Sequence, residues 1–187
     1  MQFFGNQEKR SYIQRFFQHN QASNKPLFIM LIGPDGIGKA SFVLEYIKQL
    51  LGNYFESDFL WMRDMSFVLG KPHSLQVETP SSLKTIPYET GIYQNRGVRE
   101  LTSWLQQSSL SGQKIVLIEN LERMTSAAMN AFLKTCEEPL PRRCLFATVS
   151  RESEVLPTLL SRALLVRFDL LSEEEMRAYL NASYPEI

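Results

Sequence analysis

Apolar residues along this chain recur in two rhythms that alternate. Residues 7–20 place Tyr12, Ile13, Phe16 and Phe17 at helical spacing, and "SNKP" then breaks the pattern. "LFIMLI" (27–32) is continuously apolar and short, as a strand buried on both faces of a parallel sheet would be. The helical rhythm returns with Phe42, Val43, Tyr46, Ile47 and Leu50 on one face and stops at Gly52. Residues 53–97 interrupt the alternation with Pro72, Pro80, Pro87 and only short apolar pieces such as "FLWM" and "LQVE". They read as an excursion from the core with one strand. Beyond it, Val98, Leu101 and Leu105 mark a helix, and "KIVLIEN" predicts a strand over 115–120. A further helix has Thr125 as its cap, Met129, Phe132, Leu133 and Cys136 as its apolar face, and Pro139 at its end. "CLFATV" (144–149) and "LLVRFD" (164–169) predict two more strands. Ser172 and Glu175 form a capping box that opens a last helix through Met176, Tyr179 and Leu180.

Strands alternating with helices predict an α/β fold: a doubly wound parallel sheet flanked by helices. Composition changes this picture little. Hydrophobic residues make up 44% and charged residues 21%, and 20 basic side chains balance 20 acidic ones, so any nucleic-acid contact must come from a local patch. Cys136 and Cys144 have no neighbouring His, which suits neither a zinc cluster nor a disulfide framework, and a reducing cytoplasm is the expected location. No stretch approaches the ~18–20 apolar residues of a membrane span, and the N-terminus lacks an apolar signal core.

The candidate chemistry begins at "GPDGIGKAS" (33–41), between a predicted strand and a predicted helix, where a phosphate-binding loop belongs. Gly33, Gly36, Gly38 and Lys39 suit an anion cradle in which backbone N–H groups and a helix N-terminus meet phosphate. Ala40, however, stands where a Ser or Thr hydroxyl would hold Mg²⁺, and Ser41 is turned about 100° away along a helix. The second nucleotide signature should end an apolar strand with a metal-holding acid and a water-orienting Glu. Here Glu119 supplies the acid, but Asn120 follows, and an amide is no general base. Binding of ATP or ADP is therefore expected to be weak, with hydrolysis by this chain lost.

"GVREL", "KIVLIENLERMTSAAMNAFLKTCEEP", "LFATVSRESEVLPTLLSRALLVRF" and "LSEEEM" together resemble the bacterial clamp-loader branch of the AAA+ ATPases, and most of all its DNA polymerase III delta prime subunits. The resemblance is loose over residues 53–91. It implies a AAA+ domain over 1–169 and the start of a helical lid over 170–187, with no collar domain. It also implies a part in DNA replication as a subunit whose own nucleotide site has degenerated. Such a subunit offers an arginine from a Ser-Arg-Cys segment to ATP held by its neighbour; the matching residues are Ser161 and Arg162, with Ala163 in place of Cys. The implied partners are the clamp-loader ATPase subunits and the delta subunit, the sliding clamp indirectly, and primer-template DNA weakly, through Arg96 and Arg99 at a helix start. Thr148 or Ser150 falls where a residue sensing the γ-phosphate would lie. Many relatives carry a four-cysteine zinc module, but residues 53–97 hold no cysteine, so no zinc or other metal is expected. The rival reading is an active AAA+ ATPase, such as the catalytic clamp-loader subunit or a branch-migration helicase relative. A nucleotide or nucleoside kinase would share only the loop.

Overall fold

The computed structural model describes residues 5–21, 26–63, 75–79, 82–86, 96–138 and 140–183. Strand β1 (Leu27–Ile32) is the pivot of the sheet. It pairs in parallel with β6 (Arg143–Val149) on one side and β7 (Leu164–Arg167) on the other, with Met30 opposite Ala147 and Leu165. β6 pairs in parallel with β5 (Lys114–Ile118), and β5 with β2 (Phe59–Arg63). β3 (Leu75–Thr79) and β4 (Ser82–Ile86) add an antiparallel edge, giving the order β4-β3-β2-β5-β6-β1-β7.

The described residues within 53–97 therefore include three strands, where the hydrophobic rhythm predicts one. β2 is the "FLWM" run. It enters the parallel core because Phe59, Leu60 and Met62 are all buried, but its four apolar letters are too few to distinguish a core strand from a loop anchor. The other predicted strands are present, with ends that differ by a residue or two. Glu119 and Asn120 lie just beyond β5 rather than in it.

Alternation along the strands sends side chains to two cores. On one face Ile29, Leu31, Ile115, Leu117 and Phe146 meet α1 (Gln7–Gln21) through Ile13 and Phe17, and α2 (Lys39–Leu51) through Phe42, Val43 and Ile47. On the other, Met30, Ile32, Val116, Ile118, Leu145 and Val149 meet α4 (Arg96–Gln106) and α5 (Ser126–Glu137) through Leu101, Leu105, Met129 and Phe132. The short α3 (Phe55–Asp58) leads into β2 and places the buried Asp58 carboxylate under two backbone donors, the N–H groups of Leu110 (3.2 Å) and Ser111 (2.5 Å). Beside it the buried Lys114 ammonium sits 3.8 Å from the Trp104 ring centroid, and Arg143 donates from Nε to the Leu105 carbonyl at 2.7 Å.

The predicted caps are in place. The Thr125 hydroxyl accepts from the Ala128 N–H at 3.1 Å and starts α5. Ser172 and Glu175 exchange side-chain and backbone hydrogen bonds at 3.2 and 2.8 Å and start α7 (Glu173–Ser183). Met176, Tyr179 and Leu180 are exposed on α7. Among the described residues no helix is long and apolar enough to cross a membrane.

Candidate functional site

The glycine loop leaves the C-terminal end of β1, and two neighbouring chain segments hold its root. Gly33 N–H donates to the Val149 carbonyl at 3.0 Å, and Phe168 N–H donates to the Ile32 carbonyl at 2.7 Å. A Cβ at position 33 would stand 2.5 Å from the Phe168 carbonyl oxygen, so only glycine allows this approach. Farther along, Gly36 and Gly38 take left-handed backbone (φ 80° and 84°) and α2 begins at Lys39, with no side chain capping its first turn. The scaffold is that of an anion cradle.

The side chains are arranged otherwise. Lys39 is buried, and its ammonium donates to two carbonyls of its own loop, Gly33 (2.6 Å) and Pro34 (2.7 Å), with the Ser150 hydroxyl at 3.5 Å. The Ser150 hydroxyl donates in turn to the Asp35 carboxylate, and the Ser150 N–H donates to Glu122 Oε1 at 3.0 Å. Burial holds the Lys39 pKa below the ordinary lysine value, while the negative charges of Asp35 and Glu122 pull it back up. Glu122 is 6% exposed and its Oε2 has no hydrogen-bond partner. Ala40 is partly buried and packs on the apolar cluster of α1 and α2, so position 40 has a methyl in apolar company where a metal ligand was sought.

At the end of β5, Glu119 N–H donates to the Met62 carbonyl at 2.9 Å, and Asn120 N–H donates to the Thr148 hydroxyl at 3.0 Å. Asn120 adopts left-handed backbone (φ 51°, ψ 56°), a conformation that Asn tolerates better than Glu does. Of the two expected sensor positions, the structure brings Ser150 to the loop and turns Thr148 to the β5 turn. Asp35 and Glu122 are site residues that the sequence reading missed. A carboxylate inside the loop motif was a visible signal for Asp35; Glu122 sits in a 3-10 turn over Leu121–Arg123 and had none.

Arg162 lies at the other end of the sheet. The short helix α6 (Pro157–Leu160) brings the chain to the N-terminal end of β7, and Arg162 follows in the connecting turn. Its guanidinium donates from Nη1 to the Thr158 carbonyl at 2.8 Å and from Nη2 to Glu137 Oε1, on the last turn of α5, at 2.7 Å. The Ser161 hydroxyl donates to the same Thr158 carbonyl at 3.1 Å. Arg162 borders a groove of about 690 Å³ whose lining includes Leu27, Phe28, Thr102, Lys134, Thr135 and Arg143. These are residues of the N-terminal ends of β1 and β6 and of helices α4 and α5. The loop and Arg162 are thus separated by the length of β1, six residues or roughly 20 Å at the usual strand rise, and Arg162 does not serve its own loop. Arg96 and Arg99 fall in the first turn of α4; their side chains lie outside the described residues.

Cys136 also lines the groove. Burial pushes its thiol pKa up to about 12 even though the Arg162 charge pulls it down, and burial alone pushes the Cys144 thiol well above its usual value. Both groups bind protons more tightly folded than unfolded, as does Tyr46, whose phenol burial raises to about 12. Their contribution to stability is complete below the unfolded values and is lost as pH rises through the folded ones. Melting temperature is therefore expected to fall between about pH 9 and pH 12, and a disulfide thiol reagent at pH 8 is expected to modify the two cysteines quickly only after denaturation. Rapid labelling of the folded chain would show the thiols to be accessible. Among the described residues no group of His, Cys, Asp and Glu is placed to hold a metal ion.

The strand order, the glycine loop after β1 and the helices on both faces define a P-loop α/β domain of the AAA+ class. A solved DNA polymerase III gamma-subunit-related protein of Thermotoga maritima superposes with a TM-score of 0.63 at 22% identity, over 90% of this chain and 49% of that one. The family model described as DNA polymerase III, delta subunit matches residues 5–172, and the chain belongs to that clamp-loader family. Among individual relatives, DNA polymerase III subunit delta' of Haemophilus influenzae is 33% identical over 86 residues, covering 46% of this chain and 26% of the relative. Replication factor C subunit 3 of the mouse is 24% identical over 162 residues, covering 82% of this chain and 45% of the relative. The chain thus spans less than half the length of these relatives.

Proposed function

We propose that this chain acts as a delta-prime-type subunit of a DNA polymerase III clamp loader, does not hydrolyse ATP itself, and presents Arg162 in trans to ATP held by a neighbouring ATPase subunit. The observation that carries the reading is the separation of the two half-sites: the arginine stands at the opposite end of the sheet from the chain's own loop, on the rim of an open groove. An arginine so placed can stabilise charge developing on a phosphoryl group only if another subunit supplies that group.

The loop supports the same reading. With Ala40 packed among apolar side chains, Lys39 satisfied by its own carbonyls and the Asp35 carboxylate on Ser150, its residues do not fit a Mg²⁺–nucleotide. The expected partners are the ATPase subunits and the delta subunit, with the sliding clamp engaged through the assembly. Primer-template DNA would meet α4 through Arg96 and Arg99, a weak patch of two charges.

The test is ATP turnover in two settings. The isolated chain is expected to show none above background, and adding it to the ATPase subunit of the same clamp loader is expected to raise that subunit's rate. Turnover by the isolated chain at the ~1–10³ s⁻¹ typical of enzymes would overturn the proposal and favour the rival, an active AAA+ ATPase.

A further inference from the structure

We infer that Glu137 is a positioning residue for Arg162, holding the guanidinium in a fixed orientation at the groove rim before any partner arrives; this rests on the proposed function. Two anchors of different kinds hold the side chain: a backbone carbonyl of its own turn at 2.8 Å and the Glu137 carboxylate, 25 residues earlier in sequence, at 2.7 Å. Because Glu137 belongs to α5 and Thr158 to α6, the two anchors fix the planar fork between two helices. The pair uses one N–H of each terminal nitrogen, and a guanidinium has five N–H donors, so three remain for an incoming phosphate.

Helix stability does not explain an acid at this place. Glu137 is on the last turn of α5, where the helix dipole disfavours negative charge, and Glu138 follows at the cap. Both partners of the pair are partly exposed, 36% and 46%, so the ion pair contributes little to folding. What it does fix is direction. Without Glu137, the long arginine side chain keeps only the Thr158 carbonyl and samples other rotamers, and a misplacement of about 1 Å is enough to cost a large factor in rate.

The experiment measures ATP turnover of the ATPase subunit against concentration of this chain, for wild type, Glu137→Ala, Glu137→Gln and Arg162→Ala, with melting temperature recorded for each. Glu137→Ala is expected to lower the maximal rate about tenfold while the half-saturating concentration stays within about twofold. Glu137→Gln, which still offers an oxygen to Nη2, is expected to recover most of the loss. Glu137→Ala should melt no lower than wild type, since alanine is the better residue at a helix C-terminus bearing two acids. A Glu137→Ala chain that stimulates as well as wild type overturns the inference, as does a Glu137→Gln chain as poor as Glu137→Ala. If Arg162→Ala itself stimulates fully, the proposed function fails instead; if Arg162→Ala is inactive and Glu137→Ala is not, only the positioning role is lost.

Discussion

On the proposed function, Arg162→Ala is expected to leave this chain folded and able to join its partners, yet to remove a rate advantage at the neighbouring ATP site. In NTPases that receive an arginine in trans the advantage is ~10³–10⁵. In an assembly with several ATP sites only the site facing Arg162 should lose it. Single-turnover hydrolysis by the assembled ATPase subunit is therefore the measurement, since steady-state rates average over all sites. Loss of the Arg162–Glu137 pair should cost stability only on the order of 0–1 kcal/mol, because both side chains face water. Arg162→Lys is expected to fare nearly as badly as alanine: with two of its three N–H donors on the Thr158 and Glu137 anchors, an ammonium has one left and cannot give phosphate the two parallel bonds of a planar guanidinium. Single-turnover rates equal to wild type in the alanine variant would remove Arg162 from the mechanism.

The second large effect is expected where a phosphate loop would make it least expected. Lys39→Ala in a working loop chiefly destroys nucleotide binding; here it should chiefly destabilise the fold. The substitution strips the Gly33 and Pro34 carbonyls of their donor and leaves the buried Glu122 carboxylate without the ammonium that offsets it. Unmade hydrogen bonds cost ~1–3 kcal/mol and broken buried charge pairs ~3–5, but the loop is partly open to water, so a loss of about 2–3 kcal/mol is expected. For a chain of this size that is a fall in melting temperature of roughly 4–12 °C. Differential scanning calorimetry with and without ATP checks both halves: the melting temperature should drop in Lys39→Ala, and ATP should shift neither variant. An ATP-dependent rise in wild type that Lys39→Ala abolishes would restore the loop to nucleotide service.

The parallel core was legible because β1, β5 and β6 are largely buried on both faces and so read as apolar runs, whereas β7, at the sheet edge and ending in the exposed Arg167, offered only "LLV". The cap residues Thr125 and Ser172 were legible because a hydroxyl ahead of an apolar period has a local partner. β2 was not, because four apolar letters between a turn and a proline-bearing stretch carry no period. The loop was recognised from its glycines and its defect from Ala40, but the polar and charged setting of its lysine depends on Asp35, Ser150 and Glu122, which converge from three separate turns. Long-range convergence leaves no mark in spacing. The same limit applied to Arg162: the motif named the residue, while its tie to Glu137 followed only from the packing of α5 on α6.

The length of β1 has a consequence for assembly. A molecule that carries its loop at one end of a sheet and its arginine at the other is polar, like a link with a hook and an eye. Such links can pair antiparallel about a two-fold axis when both eyes are open, or join hook to eye in a row that closes into a ring or winds into a spiral. On the proposed function, a link whose eye holds no nucleotide can offer its hook but cannot take one, and its place is at one terminus of the row, where the series of active sites begins.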